Sequence, residues 1–106
     1  MKGGRMLDKA KQLYQLQKQA KKIQKELKNT EIEAANNDKT ISVVYNGEQK
    51  LVDLVIDDSW LSPDKKSELV REILKLASEA NSRASALAAD EMKGVMKDMG
   101  MNIPGF

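Results

Sequence analysis

The sequence predicts an α+β fold in which two long helices flank a three-stranded antiparallel meander. Three observations carry that expectation. Residues 6–28 contain no Gly or Pro and are rich in Lys, Gln, Leu and Ala. Residues 31–57 turn to β-branched runs around an Asn-Gly pair. Apolar residues then return at helical spacing from Leu69 to Val95. The first and third patterns are those of amphipathic helices and the second that of a hairpin. With 106 residues, 41% of them hydrophobic, the chain can bury one modest core, so a single domain over residues 1–106 is expected.

The first helix is expected over residues 6–30, after a flexible start at 1–5 that contains Gly3-Gly4. Met6, Leu13, Ala20 and Leu27 repeat every seven residues, with Leu16 and Ile23 three further on, a seam that packs against another helix. Lys9 interrupts that seam. At about 100° per residue, Lys11, Lys18, Lys22 and Lys25 fall in one stripe opposite the seam, with Lys21 and Lys28 along its border.

In the middle segment ThrIleSerValValTyr (40–45) and LeuValAspLeuValIle (51–56) flank Asn46-Gly47, and residues 31–35 supply a third strand beyond the turn-like Asn36-Asn37-Asp38. The last helix is expected over 62–98, opened by Ser62 as cap, Pro63 at the first helical position and Asp64 at the positive end of the helix dipole. Gly94 is a candidate bend, and Gly100 and Pro104 end the pattern before the tail at 99–106. Both long helices carry apolar seams that one small chain covers poorly, which argues for a homodimer.

Composition removes most chemistries. With no Cys and no His, there can be no Cys/His zinc site, thiol nucleophile, Ser-His-Asp triad or disulfide. Asp53, Asp57 and Asp58 do not read as a metal or acid/base cluster, since alternation sends Asp57 and Asp58 to opposite faces and these two more simply end the strand. Gly3-Gly4 lacks the spacing and the Lys-Ser/Thr of a phosphate loop. A non-enzymatic protein with no metal, cofactor or small-molecule substrate is expected. The start MKGGRMLDK has no signal-peptide core and the apolar runs are short, so no membrane association and a cytoplasmic location are expected as well.

Charge is where the sequence speaks of function. The net balance of +2 hides an asymmetry: residues 1–30 carry nine Lys/Arg against Asp8 and Glu26, and no acidic residue stands between Lys9 and Lys25. A merely solvated helix mixes Glu with Lys at i, i+4, so a Lys ridge without acidic partners points to a polyanion. The few aromatics, Tyr14, Tyr45, Trp60 and Phe106, are too sparse for the stacking platform of a single-strand binder, which favours duplex DNA. Trp60 reads as an anchor of the core or an interface, and Met92, Met96, Met99 and Met101 as a seam or an adaptable surface.

The opening MKGG, SVVYNG (42–47), LVIDDSWL (54–61) and the tail MNIPGF (101–106), in this order and spacing between two long helices, resemble the YbaB/EbfC family of bacterial nucleoid-associated DNA-binding proteins. The resemblance implies a dimer built around the β segments, its helices projecting like tweezer arms to hold duplex DNA with little sequence specificity. Nucleoid organisation and regulation of gene expression would follow. Transferred to this chain, it gives Arg5, Lys9, Lys11, Lys18, Lys21, Lys22, Lys25 and Lys28 as DNA contacts, with Arg83, Lys93 and Lys97 from the last helix. Asp58 departs from the Pro that the family commonly has after Ile-Asp. The alternative is an interaction scaffold whose basic helix meets an acidic protein.

Overall fold

In the computed structural model, residues 2–98 are described, with side chains from Lys9 onward. The tail at 99–106, with its Met, Ile, Pro and Phe residues, lies outside the described residues, as does the Arg5 side chain. Helix α1 (Lys2–Lys28) leads into strands β1 (Glu31–Ala35), β2 (Ile41–Asn46) and β3 (Leu51–Ile56), then two single-turn 3-10 helices (Asp58–Trp60 and Pro63–Lys65) and helix α2 (Lys66–Asp98). The strands form the expected antiparallel meander in the order β1-β2-β3.

The boundaries differ in instructive ways. Residues 2–5 are helical rather than a flexible start, because adding turns to an existing helix avoids the nucleation cost even through Gly3-Gly4. Helix α1 stops at Lys28, two residues earlier than expected. There the Asn29 N–H reaches the carbonyls of Lys25 and Glu26, and the Thr30 hydroxyl donates to the Glu26 carbonyl at 2.7 Å. The last helix begins at Lys66, not at 62. The Ser62 hydroxyl donates to the Asp64 carboxylate and makes no cap bond, so Pro63 opens a 3-10 turn instead. Asp58, the departure from Pro, opens the other 3-10 turn, which Asp57 caps by accepting the Ser59 N–H at 3.0 Å. The Ser59 hydroxyl and N–H hold the Asp57 carboxyl below the ordinary aspartate value. Helix α2 runs unbroken through Gly94, which faces open space.

The core lies between one sheet face and α2. Ala34, Ile41 and Val43 from the sheet meet Leu76 and Ala80, with Tyr45, Trp60, Leu69 and Ile73 packed around them. Ala80 and Ala84 are fully buried, so small residues let α2 approach closely. Trp60 is the core anchor its position suggested. Its indole N–H donates to the Thr40 hydroxyl at 2.7 Å, and that hydroxyl donates to Asp38 at 2.6 Å. Together with the Thr40 N–H, this holds the Asp38 carboxyl below its ordinary value.

Both hairpins turn at an Asn, Asn36 or Asn46, and the next-to-last residue of each loop is left-handed, Lys39 (φ 59) and Gln49 (φ 66). In the second, the Asn46 side chain accepts the N–H groups of Glu48 and Lys50, and the Gln49 N–H returns to the Asn46 carbonyl. The Asn-Gly pair thus begins a longer loop over residues 47–50 instead of forming a two-residue turn, and a bulge follows in the ladder opposite Val44 and Tyr45. The left-handed position falls on Gln49, where a side chain costs about 1–2 kcal/mol and the entropy of a glycine about 0.5–1 kcal/mol. Gln49→Gly should therefore raise the thermal midpoint by a few degrees in a calorimetric scan.

Candidate nucleic-acid interface

Helix α1 is held to the domain at one end only. Ile23 and Leu27 are buried, whereas Leu13 on the same seam is 61% exposed. The Gly47 N–H donates to the Leu27 carbonyl at 2.7 Å and to the Thr30 carbonyl at 3.1 Å, tying the end of α1 to the β2–β3 loop. The molecule consequently measures 74 × 25 × 18 Å with a radius of gyration of 20.2 Å, against about 13 Å for a compact 100-residue domain. The N-terminal part of α1 is an arm.

Along this arm Lys9, Lys11, Lys18, Lys21, Lys22, Lys25 and Lys28 are all exposed. Ile23 and Leu27 direct the apolar seam inward, so Lys11, Lys18, Lys22 and Lys25 share the outer face within an arc of about 60°, and Lys11 to Lys28 spans about 25 Å along the axis. Lys9 stands apart from this ridge, on the seam side, beside Leu13 and Leu16. Among the described residues the one ion pair is Arg83–Glu79 at 4.0 Å, away from α1. The ridge therefore keeps its charge available. Tyr14, at 65% exposure, lies on the same outer face.

The α2 cations are placed differently. The Arg83 guanidinium donates to the Glu33 carbonyl on β1, so it stitches α2 to the sheet. Lys93 and Lys97 are exposed on the side of α2 roughly opposite its half-buried Ala88 and Val95. Since α1 packs against α2 through its seam, its ridge points away from α2. A single chain does not gather these groups into one basic surface. On the β1 side of α2, Asp38, Glu68, Glu72 and Glu79 line a cleft with Trp60 and the single cation Lys75, a net acidic surface that disfavours a polyanion.

The β3 side was missed in the sequence. Leu51, Val52, Leu54 and Val55 are 41–53% exposed, and Val70 and Leu74 on α2 are 47% and 64% exposed. Helix α2 lies over β1 and β2. Its acidic side faces β1, so Val70, about 120° around the helix from Leu76 on the opposite flank, lies on the β3 side, whereas Leu74, about 160° from Leu76, points away from the sheet. Strand β3 is an edge with apolar residues on both faces. Its pattern, LVDLVI, is near-continuously apolar rather than alternating, and that was the available sign of apolar groups on both faces.

A family model described as the YbaB/EbfC DNA-binding family matches residues 1–99. A nucleoid-associated protein of Ruminiclostridium cellulolyticum is 31% identical over 104 residues, covering 98% of this chain and 90% of that protein. One from Prochlorococcus marinus (strain MIT 9301) is 28% identical over 103 residues, covering 97% and 88%. The crystal structure of an uncharacterised Helicobacter pylori protein superposes with a TM-score of 0.63 at 23% identity over 74% of this chain and 90% of that one, a likeness of fold. The match to nearly the whole length, on the fold described above, places this chain in the YbaB/EbfC DNA-binding family.

Proposed function

We propose that this protein binds duplex DNA in the nucleoid as a homodimer, with little sequence preference, and so contributes to nucleoid organisation and gene expression. One observation carries the reading: an exposed Lys ridge on a projecting helix, with no acidic side chain paired to it among the described residues. Lys is a flexible point charge that neutralises phosphates and by itself reads no base, so such a ridge confers affinity without sequence selection. Of the positions the resemblance implied, Lys11, Lys18, Lys21, Lys22, Lys25 and Lys28 carry the contact. Arg5 and Lys9 are auxiliary, as are Lys93 and Lys97. Arg83 is engaged with the sheet edge.

The β3 edge, flanked by Val70, supplies the dimer surface. Its unpaired backbone and apolar faces suit a second copy, since a long apolar edge is otherwise an aggregation site. Two arms at fixed spacing grip one duplex, and the second binds at the effective concentration set by the first.

The test is fluorescence anisotropy with a random duplex, and light scattering for mass. About 6–10 phosphate contacts across the dimer predict a 10³- to 10⁵-fold loss of affinity between 50 and 200 mM salt. A salt-insensitive complex refutes the reading. Val70→Glu, at a side chain 47% exposed in the single chain, should yield a folded monomer by light scattering and circular dichroism. Its affinity for duplex should fall by about 10²-fold or more as the linked second arm is lost. A dimer that survives this change would place the interface elsewhere.

A further inference from the structure

We infer that Gln15, with Tyr14 beside it, reads base edges in the major groove and gives this protein a modest preference for A·T pairs over its general affinity for duplex. The inference rests on the duplex-binding reading above and deepens it.

The Lys ridge has a gap. Lys11 and Lys18 are seven residues apart, about 10 Å along the axis, and the turn between them presents no cation outward. Tyr14 and Gln15 fill that gap, about 40° and 60° to either side of the Lys18 direction. Both are exposed, Tyr14 at 65%, and neither side chain is hydrogen-bonded to the protein among the described residues. On the other side of Lys18, the equivalent i+3 and i+4 positions are Lys21 and Lys22. The middle of the ridge is therefore half cationic and half neutral with free hydrogen-bonding groups.

An α-helix about 10–12 Å across fits a major groove about 12 Å wide. At the level of that gap Tyr14 and Gln15 are the outward side chains, so with the Lys side chains of the neighbouring turns on phosphates they are the groups nearest the base edges. A glutamine amide offers one donor and one acceptor in the spacing that adenine N7 and N6–H₂ require. Tyr14 supplies apolar ring surface of the kind that packs on a thymine methyl. Neither group carries charge, so neither adds to the phosphate term, and the preference is separable from affinity.

The experiment titrates the full chain and its Gln15→Ala variant against three duplexes: one rich in A·T, the same sequence with 7-deazaadenine, which lacks the N7 acceptor, and one rich in G·C. Alanine on an exposed helix face favours the helix, so the variant folds. The wild-type chain should bind the A·T duplex about 5-fold or more tightly than either of the others. Gln15→Ala should bind all three alike with an unchanged salt slope. Equal binding of the three duplexes by the wild-type chain overturns the inference, as does a preference that survives in Gln15→Ala; either leaves the phosphate-binding reading standing. Absence of binding to every duplex at about 50 mM salt overturns that underlying reading instead, and the inference with it.

Discussion

Replacing Lys18, Lys22 and Lys25 together with Glu should abolish duplex binding while leaving the fold and the proposed dimer intact. Each phosphate contact adds about 0.9 to the slope of log affinity against log salt, which at 0.15 M is roughly a 5-fold gain in affinity per contact. The proposed homodimer has six such positions, so their loss weakens binding about 10⁴-fold before the repulsion of six new carboxylates is added. Non-specific complexes start from dissociation constants of about 10⁻⁴–10⁻⁶ M at physiological salt, so the variant should show no anisotropy change. The three side chains are exposed and lie opposite the seam that Ile23 and Leu27 bury. Lys25 sits in the last turn, where a cation favours the helix dipole, so its reversal costs about 0.3–1 kcal/mol of helix stability. Circular dichroism and light scattering should otherwise match the wild type. The same three positions changed to Arg should keep binding. Retained affinity in the Glu variant would remove the ridge as the DNA site and bring the acidic-protein scaffold reading forward.

Much of this arrangement was written locally in the chain, and what was not is tertiary. Helix α1 showed through the seven-residue repeat ending at Leu27, and the hairpins through Asn36 and Asn46, whose side chains do close both loops. Ser62 does stand at the N-cap position with Pro63 after it, but its hydroxyl makes no cap bond because Asp64 two residues on competes for it. Gly94 looked like a bend, yet an exposed glycine in a helix costs only about 1 kcal/mol against alanine and need not break it. For the candidate site, the Lys positions were legible from angular spacing and the missing acids. The fate of Arg83 was not, since its partner is the Glu33 carbonyl fifty residues away. Nor was the outward face of β3, whose exposure depends on α2 lying over the other two strands.

Gly47→Ala should destabilise the protein by about 1–3 kcal/mol, an overpacking penalty that corresponds to a fall in thermal midpoint of roughly 4–20 °C for a domain of this size. The reason is contact, not backbone freedom. A methyl at Gly47 would lie 2.7 Å from Leu27 Cδ2 and 2.8 Å from both Leu27 Cβ and the Leu27 carbonyl oxygen. Cδ2 can rotate away, but Cβ and the carbonyl are fixed in the last turn of α1. The loop and the helix end must therefore separate, and with them the 2.7 Å bond from the Gly47 N–H to that carbonyl. This bond sets where the arm leaves the sheet, so the substitution should also weaken duplex binding without touching any cation. Adding Leu27→Ala should restore little, because it removes only the contact that could already move. A Gly47→Ala melting curve that overlays the wild type would mean the arm is held elsewhere, and the Lys ridge would then be aimed by the α1–α2 seam alone.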